Sequence, residues 1–87
     1  MTVALRVLSR SWCHLCDDMI DLFMALAVSA DVALVVEDVE CSEAVEAQWG
    51  ERVPVLFAAD GEILSEYRLD LARVHAYLSQ FPIKSAD

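Results

Sequence analysis

The chain has 87 residues, enough for one hydrophobic core and too few for two, so we expect a single domain over residues 1–87. Apolar residues make up 57% of it, with two glycines and two prolines, which excludes a disordered or loop-rich chain. Fifteen acidic against six basic residues give a net charge of -9. This charge predicts no binding to nucleic acid or to anionic membranes, since both carry phosphates.

The start of the chain, Met1–Arg6, lacks the basic segment, long apolar run and small-residue cleavage site of a signal peptide. No apolar stretch reaches the roughly 18 residues needed to cross a bilayer. We therefore expect a cytoplasmic protein. Three cysteines are an odd number, and in such a chain they favour redox or metal chemistry over a disulfide framework.

The first half of the chain predicts a parallel βαβ unit. Residues 3–8 form a short apolar strand, and residues 32–36 form a second strand that we expect to be buried. Between them, apolar residues recur at helical spacing from Cys16 onward, namely Met19, Ile20, Phe23, Leu26 and Ala27. Leu22 and Met24 make another face of this helix apolar, and either a second helix or a second subunit would cover it.

The second half predicts a helix, a hairpin and a last helix. Ser42 is a candidate cap for a helix that runs through Trp49 and ends at Gly50. Two strands, 53–58 and 62–67, flank Asp60-Gly61, which is typical of a two-residue hairpin turn. Asp70 is the expected cap of the last helix, whose apolar face carries Leu71, Val74, His75 and Leu78, and Pro82 marks the end of the ordered chain. We interpret His75 as a packed histidine rather than a ligand.

The motif Cys13-His14-Leu15-Cys16 lies between the first strand and the first helix. Its spacing lets the two sulfur atoms approach disulfide distance, while the unpaired N–H groups of the helix start face Cys13. The positive helix end and a protonated His14 favour the Cys13 thiolate, whereas Asp17 and Asp18 oppose it. We therefore predict that Cys13 is the nucleophile and that Cys16, in the first helical turn, is the resolving thiol.

These residues make the chain resemble a small glutaredoxin-like protein of the thioredoxin superfamily. The resemblance rests on Arg10, where glutaredoxins commonly have Lys, on the two cysteines, and on Val53-Pro54 before the third strand. It implies an α/β fold of order β-α-β-α-β-β-α with a mixed four-stranded sheet. It also implies that Pro54 is a cis-proline beside the redox pair, and that the backbone of Val53 binds a substrate like an added strand.

Two departures from that family concern the ligand. His14-Leu15 stand between the cysteines where glutaredoxins often have Pro-Tyr. Tyr67-Arg68 replace the paired glycines that let glutathione lie against the backbone, although Asp70 is kept. Bulky side chains there would crowd the tripeptide, so glutathione is a candidate reductant only, and we expect no tightly bound cofactor and no metal.

Several alternatives stay open at this point. Trp12 either offers an apolar rim for a partner or packs against the hairpin. Cys41 is interpreted as a half-buried bystander, with a regulatory or ligand role as the alternative.

The whole chain is interpreted as an oxidoreductase with Arg10, Trp12, His14, Val53 and Pro54 at its substrate site. Its expected partners are a disulfide-containing protein or a small thiol, and its expected state a monomer or weak homodimer. A non-catalytic binding module, or a zinc or iron–sulfur protein using the three cysteines, are the alternatives.

Overall fold

The computed structural model describes residues 3–26 and 32–80. Their elements follow in the order β1 (Val3–Ser9), α1 (His14–Leu26), β2 (Val32–Asp38), a 3₁₀ turn (Val39–Cys41), α2 (Glu43–Trp49), β3 (Val55–Phe57), β4 (Ile63–Glu66) and α3 (Leu71–Leu78). The predicted order β-α-β-α-β-β-α is confirmed. Ala27 and Pro82, which the sequence assigned to the end of the first helix and of the ordered chain, lie outside the described residues.

The four strands form one mixed sheet in the order β2-β1-β3-β4. β1 pairs with β2 in parallel, starting at Val3 opposite Val32, and with β3 in antiparallel register, where Leu8 lies opposite Val55. β3 and β4 are antiparallel. The carboxyl end of β1 and the amino end of β3 therefore meet at the same edge of the sheet.

Helices cover both faces of this sheet. On one face the buried residues of the strands pack with those of α1 and α3, in a cluster that includes Leu5, Met19, Phe23, Leu56 and Val74. On the other face a smaller cluster forms from Leu8, Val55 and Phe57, with Val45 and Trp49 of α2 packed against it. No helix in the described part of the chain has the length and apolar character needed to cross a membrane.

β2 is an edge strand, and the prediction that it is buried was wrong. None of its residues is fully buried, and Val35 and Val36 are 47% and 51% exposed. An apolar run has the same sequence signature in a central strand as at an edge, so periodicity alone cannot separate the two. The two interior positions belong to β1 and β3, and alternate residues of β1 are buried on the α1 side.

The hairpin is confirmed, but its turn is longer than two residues. Ala58 donates its N–H to the carbonyl of Glu62 at 2.8 Å, and Gly61 donates to the carbonyl of Ala58 at 3.0 Å. The loop therefore has three residues, and Gly61 closes it with a φ of +94°. This left-handed conformation costs glycine little, and it explains why the turn needs Gly61.

The helix ends match the sequence in part. Asp70 caps α3, where its side chain accepts the N–H of Arg73 at 3.0 Å. Ser42 occupies the cap position of α2, but its side chain makes no cap hydrogen bond. The interpretation of His75 as a packed residue was wrong, because the inner face of α3 is formed by Val74 and Leu78 and leaves His75 exposed.

The end of α2 requires glycine at residue 50 because a side chain would not fit there, and not because of its backbone dihedral angles. Its φ is −55°, which any residue adopts, and its N–H bonds to the carbonyl of Glu46. A Cβ atom at this position would lie 2.6 Å from that carbonyl oxygen and 3.0 Å from a guanidinium nitrogen of Arg10. A side chain at residue 50 would therefore force Arg10 and the helix end apart.

These two glycines predict different responses to the same substitutions. Gly61→Ala should destabilise the fold by about 1 kcal/mol, and Gly61→Asn by less, because asparagine tolerates the left-handed region. Gly50→Ala and Gly50→Asn should both cost about 1 to 3 kcal/mol, since any Cβ makes the same close contact. Urea unfolding of the four variants measures this, and a milder effect of asparagine at residue 50 would contradict it.

Candidate active site

Cys13 and Cys16 are joined as a disulfide at the junction of β1 and α1. Their Cα atoms are 5.2 Å apart, within the range that disulfides adopt. Cys13 immediately precedes the first helical residue, His14, and Cys16 lies in the first turn. The sequence prediction that this pair lies at a helix start is confirmed.

Cys13 acts as the cap of α1. Its sulfur accepts the backbone N–H of Cys16 at 3.2 Å, and its carbonyl accepts the N–H of Asp17 at 3.1 Å. Serine or asparagine uses the same geometry to satisfy the free N–H groups of a helix start. The two cysteines differ in access, because Cys13 is half-buried whereas Cys16 is 1% exposed.

The residues next to the cysteine pair in the sequence have exposed side chains. Trp12 is fully exposed, at 100%, and has a φ of +63°. This excludes the alternative that its ring packs against the hairpin. His14 and Leu15, between the two cysteines, are also exposed. The side chains of Trp12, His14 and Leu15 therefore surround Cys13 without being part of the core.

Val53-Pro54 lies at the sheet edge that carries the cysteine loop. The peptide bond between these two residues is cis, as the resemblance implies, and Pro54 is fully buried. Val55, the next residue, pairs with Leu8 near the end of β1. The chain thus brings Val53 to the same end of the sheet as the loop that leads to Cys13.

Tyr67 is a site residue whose role the sequence did not predict. Its φ is +63°, a conformation in which a side chain is uncommon. Its N–H bonds to the carbonyl of Pro54 at 2.9 Å, and its hydroxyl donates to the carbonyl of Glu51 at 2.6 Å. The sequence signal was its position, where the related family has glycines that adopt this backbone freely.

Arg10 points toward α2. Its guanidinium lies 3.2 Å from the carboxylate of Glu46 and 3.4 Å from that of Glu40, and donates to the carbonyl of Gly50 at 3.0 Å. This anchors the loop between β1 and the cysteine pair to the end of α2. A direct role of Arg10 in substrate binding stays a prediction, and the positioning of the loop is the part that its contacts support.

A second arginine connects the two segments that flank Pro54 and Tyr67. Arg52 makes a two-pronged ion pair with Glu66, with N–O distances of 2.6 and 3.1 Å, and its guanidinium lies 4.3 Å from the ring centre of Trp49. The hydrogen-bonded guanidinium lowers the pKa of Glu66 below its ordinary value, although partial desolvation opposes the shift. We call this ion pair the Arg52–Glu66 clamp. It connects the residues that directly precede Val53 and Tyr67.

The structure also bears on the third cysteine, Cys41, and on the alternative of a metal site. Cys41 is exposed at the end of the 3₁₀ turn, so its interpretation as half-buried was wrong. The same turn buries Val39 and leaves Cys41 on its outer side. Over residues 3–26 and 32–80, no three or more His, Cys, Asp or Glu side chains come together in a way that would hold a metal ion.

Comparison with known proteins gives the fold class. A family model described as a glutaredoxin-like domain (DUF836) matches residues 4–79. The chain is 34% identical to protein Ne2328 from Nitrosomonas europaea, with a TM-score of 0.78 over 87% of this chain and 91% of that chain. It is 31% identical to a structural genomics target protein from X. campestris, with a TM-score of 0.68 over 90% and 99% of the two chains.

A more distant similarity is to a mutant thioredoxin from Halobacterium salinarum, which is 26% identical with a TM-score of 0.61, over 95% of this chain and 77% of that one. No curated protein sequence matches the chain. Together these similarities confirm the predicted thioredoxin-like α/β fold.

The clamp between Arg52 and Glu66 predicts a pH dependence of stability. Because the folded pKa of Glu66 is lowered, its contribution is complete above the unfolded value of about 4.3 and is lost as the pH falls through the folded pKa. The wild type should therefore be more stable than Glu66→Gln at pH 7, and the difference should shrink below about pH 4. Urea unfolding across pH measures it.

The matched control is the same substitution in an Arg52→Met background, which lacks the guanidinium. In that background, the difference in unfolding free energy between glutamate and glutamine at residue 66 should not shrink as the pH falls below about 4. A pH-dependent difference that survives in that background would assign the effect to another group.

Proposed function

Because the chain belongs to the glutaredoxin-like domain family of the thioredoxin superfamily, we propose that it is a thiol–disulfide oxidoreductase with Cys13 as nucleophile and Cys16 as resolving thiol. The observation that carries this proposal is the disulfide between a half-buried Cys13 and a buried Cys16 at the start of α1. A pair that served packing alone would have no reason to leave one of its two residues only half-buried. We place the reaction in the cytoplasm, where thiols are kept reduced.

The reaction follows from thiol–disulfide exchange. In the reduced protein, the Cys13 thiolate attacks one sulfur of a client disulfide, the client S–S bond breaks, and the departing client thiolate takes up a proton. Cys16 then loses its proton and attacks the Cys13 sulfur of the mixed disulfide. The second client thiol leaves, the client has gained two electrons, and Cys13 and Cys16 are again joined. Two equivalents of an external thiol, or one dithiol, restore the Cys13–Cys16 dithiol by the same exchange and are themselves oxidised to a disulfide.

The backbone supplies the activation of Cys13. The N–H of Cys16 that points at the Cys13 sulfur at 3.2 Å would stabilise a thiolate more than a thiol, and the positive end of α1 acts in the same direction. Asp17 and Asp18, both exposed, act against it. The difference in burial supports Cys13 as the first attacking thiol, because the more buried Cys16 is less able to meet a large client.

Val53 is the proposed backbone contact for the client. Within the described residues its N–H and carbonyl group make no hydrogen bond, while the neighbouring Pro54 carbonyl is used by Tyr67. An extended client segment would satisfy both free groups, as an added strand does. Trp12 and His14, exposed around Cys13, complete the proposed contact surface.

We propose that glutathione is a weak ligand of this site. Tyr67 occupies the position of the glycines that would leave the backbone bare, and two hydrogen bonds fix it there. The electron donor is then a dithiol or a small thiol that reacts with the disulfide without a dedicated binding site. No cofactor is part of this proposal.

Three cysteine variants test the mechanism. Cys13→Ser should abolish reduction of a model disulfide, because the attacking sulfur is lost. Cys16→Ser should accumulate a mixed disulfide between Cys13 and the client, which intact-protein mass spectrometry detects. Cys41→Ser is the control and should react as the wild type. A wild type that reduces no disulfide with any thiol supply would overturn the proposal and favour a non-catalytic binding module.

Substitutions of Tyr67 test the exclusion of glutathione. Tyr67→Gly should raise the rate with a glutathionylated peptide, by about tenfold if a blocked contact of about 1.4 kcal/mol is restored. Tyr67→Phe removes only the hydroxyl and its bond to Glu51, so it should leave this rate low. Equal rates for the two variants and the wild type would show that Tyr67 does not limit glutathione binding.

A further inference from the structure

An open groove lies between the first turns of α1, which carry the cysteine pair, and the segment before α3. It has a volume of about 240 Å³, and its apolar walls include Leu15 and Leu22 of α1 and Tyr67 and Leu69 of the segment before α3. Leu15, which lines the groove, stands between Cys13 and Cys16 in the sequence, so one wall of the groove belongs to the segment that carries the proposed reaction site. A client bound at Cys13 would pass over it.

The walls of this groove are unusually exposed for apolar side chains. Leu15, Leu22 and Tyr67 are 41%, 49% and 48% exposed. Single exposed apolar residues are common on protein surfaces, whereas adjacent ones that line a groove mark a binding site. The fixed backbone of Tyr67 and its two hydrogen bonds hold one wall in place before any ligand arrives.

The size of the groove selects one kind of occupant. Sites for whole small molecules usually measure about 300 to 1,000 Å³, and this groove, at about 240 Å³, is smaller. One apolar side chain of a longer polypeptide suits the space. The remainder of that polypeptide would lie outside the groove, toward Cys13.

An arginine without an ion-pair partner among the described residues adds a charge preference. Four of the five arginines form ion pairs with glutamates: Arg6, Arg10, Arg52 and Arg73. Arg68, which lines the groove, makes no ion pair within the described part of the chain. In a protein of net charge -9, this guanidinium is a specific point of attraction for a carboxylate. Asp18 also lines the groove and limits the preference to one carboxylate rather than an acidic run.

We propose that this groove binds one apolar side chain of a protein client next to the client's disulfide, and that Arg68 pairs with a carboxylate of the same segment. The inference rests on the proposed function, because it assigns the substrate class of the same site. The groove selects protein disulfides with an apolar residue beside the cysteine over small, hydrophilic disulfides.

The test uses the full chain, reduced with a dithiol and freed of it, in single-turnover reactions. The substrates are short peptides dimerised through one cysteine, with leucine or serine beside that cysteine and glutamate or lysine one residue further. Each rate is divided by the rate with 2-hydroxyethyl disulfide, which has no side chain for the groove. Release of peptide thiol is followed by liquid chromatography.

For the wild type, leucine should be favoured over serine by about tenfold, since the half-open groove removes only part of the side chain from water. Leu22→Gln should reduce this preference to about threefold or less, because it makes one wall polar. Met24→Gln is the matched control, since Met24 is 55% exposed on the same helix and does not line the groove, and it should keep the preference.

For charge, glutamate should be favoured over lysine by about threefold, the size expected for an exposed ion pair. Arg68→Gln should remove this preference. Arg73→Gln should keep the preference for glutamate, because Arg73 lies on α3, is paired with Glu62, and is outside the groove.

The outcomes separate the two proposals. A wild type that reduces 2-hydroxyethyl disulfide but shows no preference for leucine overturns the groove and leaves the proposed function standing. A leucine preference that survives Leu22→Gln overturns it as well. Failure to reduce any of the disulfides overturns the proposed function itself.

Discussion

The double pairing of β1 determines where everything else lies. As a central strand it binds β2 in parallel on one side and β3 in antiparallel register on the other. Its carboxyl end therefore delivers Cys13 to α1 at the same edge where β3 delivers Val53 and Pro54. Since the two segments are 40 residues apart in sequence, only the sheet brings them together. The chemistry of the site depends on this register, because a slip of one residue would turn the buried side of β1 outward.

Local patterns allowed the sequence to predict the order of elements, the cysteine pair at a helix start and the Asp70 cap, because each depends on neighbours within one turn or one strand. What could not be predicted depends on contacts between distant segments. His75 is exposed because the core covers the face of α3 that Val74 and Leu78 form. Cys41 is exposed because the turn that contains it buries Val39 instead. The left-handed backbone of Tyr67 is fixed by carbonyl groups of residues 51 and 54, and no local pattern contains that information.

The arginines are used as connectors. Arg6 joins β1 to β2, Arg10 joins the cysteine loop to α2, Arg52 joins the segment before β3 to β4, and Arg73 joins α3 to the hairpin. Exposed ion pairs contribute little to stability, so their value here is in orientation. The strongly acidic composition makes carboxylate partners abundant, and four of the five arginines pair with one. Within the described part of the chain Arg68 is the exception, and this supports the carboxylate partner proposed for it.

The uncovered edge of β2 has a consequence for the behaviour of the protein in concentrated solution. Among the described residues this strand pairs only with β1, so the backbone N–H and carbonyl groups of alternate residues face outward beside the exposed Val35 and Val36. Such an edge is a template for pairing with another copy of the chain. The acidic end of the strand and the net charge of -9 oppose such pairing by repulsion. Charge rather than shape therefore works against self-association at this edge, and acid or concentrated salt would weaken that repulsion.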